Sequence, residues 1–252
     1  MSVYDRETKY MQILSERERK ISELAEKLFV SEPTVRRDIA ALTRKGLVKC
    51  QKGIASLNIS SPDQRIPLFL RELEQTEEKQ IMASRALKHI KDGQSIMLDA
   101  STSAYCIIPL LSQFKNIFVI TSGLKAALAL STMNIHFVCC GGEIIHESFS
   151  FVGTDAETTL KRYNADVAFF SCRGLSSDGI ATDNSILENS IRRIMIENSK
   201  EKYLLCDHKK LGKKYLNSLC KKNELNGIIS DKELDFGSNT NISGNNKKHT
   251  EL

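Results

Sequence analysis

Five short apolar runs recur between residues 95 and 207: "SIMLD" (95–99), "NIFVIT" (116–121), "IHFVCCGG" (135–142), "DVAFFSC" (166–172) and "KYLLCD" (202–207). Helix-length stretches separate them. Strands that are apolar on both faces cannot border water, so they predict a mostly parallel sheet covered by helices on each side. The predicted class is α/β with a Rossmann-like sheet. Ligands of such sheets bind outside the carboxyl ends of the strands, at the point where strand order reverses.

The residues that follow these runs are small and polar. Asp99 precedes Ser101, Thr102 and Ser103 at a helix start; Thr121, Ser122 and Gly123 open the next helix. The third run ends in Gly141 and Gly142, the fourth leads into Arg173, and the last reaches Asp207 and Lys210. Free N–H groups at helix starts, with hydroxyls beside them, favour an anion, and glycine lets the backbone approach it. Asp99 is expected to accept hydrogen bonds from sugar hydroxyls. A phosphorylated polyol satisfies all of these groups, although each hydroxyl alone is equally suited to be an ordinary helix cap. In "ATDNSILENSIRRIMI", Asp183 is placed to cap a helix that pairs Glu188 with Arg192 at i, i+4, an arrangement also typical of a surface bridge.

The first 57 residues have a different character. Tyr10, Ile13 and Leu14 suggest a helix over 4–17, and Ser22 is a candidate N-cap for a second, with Ala25 and Leu28 spaced for burial. Ser31 caps a third, in which Val35, Ile39 and Leu42 mark the buried stripe, and Gly46 ends it. Two short strands around Gln51-Lys52-Gly53 complete a winged helix-turn-helix. Between Pro33 and Ser56 stand six basic residues (Arg36, Arg37, Arg44, Lys45, Lys49, Lys52) against one acid, Asp38. That balance of +5 equals the net charge of the whole chain, so the basic patch is local. A basic helix beside a neutral body predicts double-stranded DNA met in the major groove.

Residues 58–67, with two prolines, read as a linker. A helix that begins near Leu68–Leu73 and ends at Gly93 follows, with Ile81, Ala86, Leu87 and Ile90 as its apolar stripe. The expected units are 1–57 (DNA binding), 58–93 (linker and connecting helix), 94–235 (sensing and oligomerisation) and 236–252, a tail rich in Asn, Ser and Gly that is expected to be disordered. The seven cysteines include no CxxC pair, which predicts reduced structural thiols with neither disulfide nor metal site. No cofactor is expected. The N-terminus is polar, and no run approaches the ~18 apolar residues of a membrane span, which places the chain in the cytosol.

"ISELAEKLFVSEPTVRRDIAALTRKGLV" closely resembles the DNA-reading motif of DeoR-type regulators, bacterial repressors of sugar metabolism. "LDASTSAY", "VITSG", "GGEIIHESFSFVG" and "LLCDHKKLGKKYL" extend the resemblance over about residues 5–235. It implies an isomerase-like sensor domain whose sugar-phosphate effector weakens operator binding, and assembly as homodimers or homotetramers. It also implies that Thr34, Arg36 and Arg37 read DNA and that Glu188 faces the ligand. Ser31, Arg44 and Lys52 complete the expected DNA contacts. The chain departs from the family at the wing, where His-Gly-Gly-Ala is usual and Lys52, Gly53, Ile54 and Ala55 stand. It departs again at Asp99–Ser103 (usually Asp-x-Gly-Thr-Thr), at Thr121–Gly123 (usually Thr-Asn-Ser), and at Ile145, where an arginine is common. Two alternatives for the second domain remain: an oligomerisation platform or free-sugar binder, and an isomerase using Asp99, Glu188 and Lys210.

Overall fold

The computed structural model describes residues 3–44, 46–58, 71 and 76–234. Most of the expected linker, the helix start at 68–73 apart from Arg71, and the tail at 236–252 lie outside the described residues.

The N-terminal unit runs α1 (Val3–Glu16), β1 (Arg19–Lys20), α2 (Ile21–Leu28), α3 (Glu32–Arg44), β2 (Val48–Gln51) and β3 (Ile54–Leu57). Tyr10, Met11 and Leu14 from α1, Leu24 and Leu28 from α2, and Val35, Ile39 and Leu42 from α3 close one core over Val48 and Ala55 of the wing. Ser22 is not the cap of α2. The helix starts at Ile21, whose N–H donates to Gly53 O at 3.0 Å, because β1 pairs with β3 and delivers the chain straight into the helix. A strand of two residues has no periodicity to betray it. The wing turn is tight: Gln51 pairs with Ile54, and Lys52 and Gly53 both adopt positive φ, 49° and 77°.

The larger unit opens with α4 (Thr76–Ala86), which tightens into a 3-10 turn at Leu87–His89 well before Gly93. Its buried face is Lys79, Met82, Ala83 and Ala86, and Ile81, expected in that stripe, is 43% exposed. There follow β4 (Ser95–Leu98), α5 (Thr102–Tyr105), β5 (Phe118–Thr121), α6 (Leu124–Leu130), β6 (His136–Cys139), and the hairpin β7 (Glu143–Ile145) and β8 (Ser150–Val152). The chain continues through α7 (Gly153–Leu160), β9 (Ala165–Ser171), β10 (Gly174–Leu175), β11 (Ile180–Asp183), α8 (Ile186–Glu197), β12 (Ser199–Leu205), β13 (Asn217–Lys221) and β14 (Gly227–Ile229).

Six of these strands form the main sheet in the order β14-β12-β9-β4-β5-β6, every pairing parallel. The five apolar runs are its β4, β5, β6, β9 and β12. Alternate side chains serve opposite faces: Ile96, Leu98, Val119, Val167 and Phe169 join one core with α4, and Met97, Ile120, Ala168 and Phe170 join another with α7 and α8. Strand order reverses between β4 and β9, so the ligand crevice of this topology opens beside Asp99 and Ser171. Among the described residues no helix is long and apolar enough to cross a membrane.

Candidate functional site

The candidate DNA-reading surface is shaped by what α3 turns inward. Val35, Ile39 and Leu42 are buried, and so is Asp38, the single acid of the basic segment. Its Oδ2 accepts from Arg6 Nε at 2.9 Å and from the Tyr10 hydroxyl at 3.4 Å. Burial beside this carboxylate pushes the Tyr10 phenol up to about 12. The acid is thus spent inside the unit, while Arg36, Arg37, Arg44 and Lys52 remain exposed. Arg36 leans on Glu32 at 3.2 Å, a bridge between two well-exposed groups that a phosphate can displace. Ser31 stands just before α3, its carbonyl accepting from Val35 N and its hydroxyl 3.0 Å from that of Thr34.

At the carboxyl edge of the main sheet the expected residues converge, but in unequal roles. Asp99 is 2% exposed and its carboxylate is used within the protein: Oδ1 accepts from Ser101 N (3.1 Å), and Oδ2 from Ser171 N (3.2 Å) and Arg192 Nε (2.9 Å). Arg192 donates onward to Asp183 at 2.8 Å and lies 4.0 Å from Glu188. Burial works against the charge of Arg192, but Asp183 and Asp99 outweigh it and hold the guanidinium firmly protonated. Glu188 and Arg192 are therefore no surface bridge; both are buried. Asp99, expected to accept hydrogen bonds from sugar hydroxyls, thus has three donors within the protein. Ser101 and Thr121 act as local caps, accepting from Ala104 N at 3.1 Å and Gly123 N at 3.0 Å. Thr102 and Ser103 are buried beside them. Gly142 serves packing: at φ 99° an added Cβ would lie 2.7 Å from Val152 O, whereas Gly141 has open space. Gly123 packs against Ala100, its missing Cβ 3.1 Å from that residue's Cα.

Other polar atoms at this edge are buried with nothing to bond. Ser122 Oγ and Ser148 Oγ have no hydrogen-bond partner among the described residues, and the two residues are 1% and 4% exposed. Asp207 Oδ2 meets only Lys210 Nζ, 3.4 Å away, and Lys210 donates to Ser171 Oγ at 2.9 Å. Arg173 sits over the Tyr215 ring at 5.2 Å. Arg71, unremarked in the sequence, brings a guanidinium whose Nε is buried and unpartnered. Burial lowers its pKa, the charge of Glu188 opposes that shift, and Arg192 reinforces it, which places Arg71 within the field of this cluster. A lone arginine ahead of the acidic run "ELEQTEE" was the available signal. Orphaned buried polar atoms are rare in folded chains and call for a partner. Ile145, where the resemblance leads to the expectation of an arginine, lies in the core, and the strand ends carry Arg173 and Lys210, with Lys125 lining the cleft.

Beside Asp99, Ser101, Thr102, Gly123 and Lys125 the hairpin tip at Ser148 and Phe149 closes a cleft to about 10 Å³, space for a single water. Burial pushes the thiols of Cys140 and Cys220 up to about 12, and none of the seven cysteines is in a disulfide.

Residues 74–232 match the DeoR C terminal sensor domain, and residues 6–55 match an HTH domain. The HTH-type transcriptional regulator IolR of Bacillus subtilis is 32% identical over 88% of this chain and 88% of its own length. The lactose phosphotransferase system repressor of Staphylococcus epidermidis is 31% identical over 92% of this chain and 93% of its own. Among solved structures, ribose 5-phosphate isomerase A of Methanocaldococcus jannaschii aligns with 55% of each chain at 20% identity and a TM-score of 0.41. The matched domains and both relatives are regulatory, which removes the isomerase alternative. From α3 to the sensor sheet, the chain belongs to the DeoR family of helix-turn-helix transcriptional regulators.

Proposed function

We propose that this regulator represses a sugar-catabolism operon and that a phosphorylated sugar, bound at the carboxyl edge of the sensor sheet, controls its operator affinity. The observation that carries this reading is that Ser122 Oγ, just past β5, and Ser148 Oγ, beside Asp99 in the cleft, are buried without hydrogen-bond partners among the described residues. Buried hydroxyls in a cleft that also carries Lys125, with Lys210 and Arg173 on neighbouring strand ends, suit a ligand that carries both hydroxyl groups and an anion. Thr102, Ser103 and the backbone of Gly123 and Gly141 line the approach, Glu188 and Asp207 supply acceptors, and Asp99 positions the floor through Arg192. The relative named as a lactose phosphotransferase repressor is in keeping with a phosphorylated sugar. DNA is read by Thr34, Arg36 and Arg37, with Ser31, Arg44 and Lys52 on phosphates, and two or four copies pair their half-sites. The proposed domain limits are 1–57, 58–93 and 94–235.

A thermal-shift panel that pairs each sugar with its phosphate tests the effector. At 100 times its dissociation constant a ligand stabilises the native state by ~2.7 kcal/mol. A phosphate that raises the melting point where its free sugar does not is the expected result. Equal shifts for both would make the site a free-sugar pocket, and no shift across the panel favours an oligomerisation platform, a reading that the closed cleft supports.

A further inference from the structure

One cluster of metal-ligating side chains lies outside both surfaces. Glu78 in the first turn of α4, His208 in the 3-10 turn after β12 and Asp231 just past β14 each offer one ligand atom, all within 4.8 Å of one another. Three separate elements supply them, so no sequence spacing announces the set. His208 Nδ1 lies 2.6 Å from Asp231 Oδ2, and the Asp231 carboxylate is 1% exposed. Asp231 Oδ1 accepts from His208 N at 2.8 Å, which fixes both residues in place. Glu78 faces Lys209 Nζ at 3.4 Å, and that lysine is half exposed, so it swings into solvent at little cost.

We propose that Glu78, His208 and Asp231 form a binding site for one divalent metal ion of the Mn²⁺ or Zn²⁺ class, clamping α4 to the turn after β12. One imidazole nitrogen with two carboxylate oxygens matches that class, whereas Ca²⁺ and Mg²⁺ prefer oxygen alone. The ion takes the place of the direct contact between His208 Nδ1 and Asp231 Oδ2. Bonds of about 2.1 Å require those two atoms to separate to about 3 Å, a small side-chain adjustment. The clamp has a consequence that rests on the effector reading: the same turn carries Asp207 and Lys210 on its other side, so ion and effector act on one element.

The site is tested without effector or DNA. Full-length protein stripped with EDTA is titrated with Mn²⁺ and free ion is followed by electron paramagnetic resonance, a hard ion being chosen so that the thiols do not compete. We expect saturation near one ion per chain, with Glu78→Gln and His208→Gln each weakening binding about tenfold or more at unchanged circular dichroism. Lys209→Ala, which frees Glu78, should tighten binding. Absence of saturable binding, or affinity unmoved in both ligand variants, overturns the proposal while leaving the effector reading untouched.

Discussion

Arg192 Nε lies 2.9 Å from Asp99 Oδ2, and its Nη1 lies 2.8 Å from Asp183 Oδ2, so one buried guanidinium joins the ends of β4 and β11 at the carboxyl edge of the sheet. Removing it leaves two carboxylates buried without their cation. Arg192→Met is expected to cost about 3–5 kcal/mol of stability in urea unfolding, because breaking a buried pair exposes the desolvation penalty of the partners. A loss below 1 kcal/mol would mean that water reaches the network.

The same network sets an acid dependence. Burial works to raise the Asp183 pKa, but Arg192 and the N–H groups of Ser185 and Asn184 outweigh it, so the folded value lies below the ordinary one. A depressed carboxylate contributes stability that is fully present above its unfolded pKa, about 4, and is lost as pH falls through the folded value. The urea midpoint should therefore drop between about pH 5 and pH 2, and Asp183→Asn should start lower and fall less steeply. Parallel slopes in the two proteins would assign the acid loss to other groups.

Asp38 is the acid that the basic segment keeps inside. Asp38→Ala removes the acceptor shared by Arg6 Nε and the Tyr10 hydroxyl and should lower the denaturant midpoint of the helix-turn-helix unit. Specific DNA contacts should respond differently. Arg37→Ala should weaken operator binding by roughly 1–3 kcal/mol with stability unchanged, and Lys52→Ala should lower the salt slope by about 1. Anisotropy titrations at several salt concentrations separate these outcomes.

Phe29 occupies the left-handed region at φ 53° while 95% exposed, so its side chain gains nothing from burial and strains the turn between α2 and α3. Phe29→Gly should raise stability by about 1 kcal/mol. Gly142→Ala should do the reverse by about 2 kcal/mol, since the new methyl group meets the Val152 carbonyl. Melting temperatures of the two variants shifting in opposite senses is the expected result.

The strands of the sheet and the buried stripe of α3 were legible because burial on both faces, or on one helical face, leaves a period in the chain. The sixth strand, Gly227–Ile229, and β1 are too short to carry one, and the antiparallel β10, β11 and β13 lack sustained alternation. Ile81 misled because a single aliphatic residue satisfies a stripe on paper while facing solvent. In the cleft, spacing identified which loops converge. It did not reveal that Asp99 is consumed by an arginine 93 positions away, or that Arg71 arrives from the connector, since both depend on how distant elements meet.

In the proposed function, cations at the sheet edge make operator binding answer to a sugar phosphate. An operator selected from random DNA, titrated with wild type and with Lys210→Ala in the absence and presence of the phosphate found by thermal shift, tests it directly. The account predicts that both proteins bind DNA alike without ligand, that the phosphate changes wild-type affinity by tenfold or more (1.4 kcal/mol or above), and that Lys210→Ala no longer responds. A variant that responds as fully as wild type would contradict it.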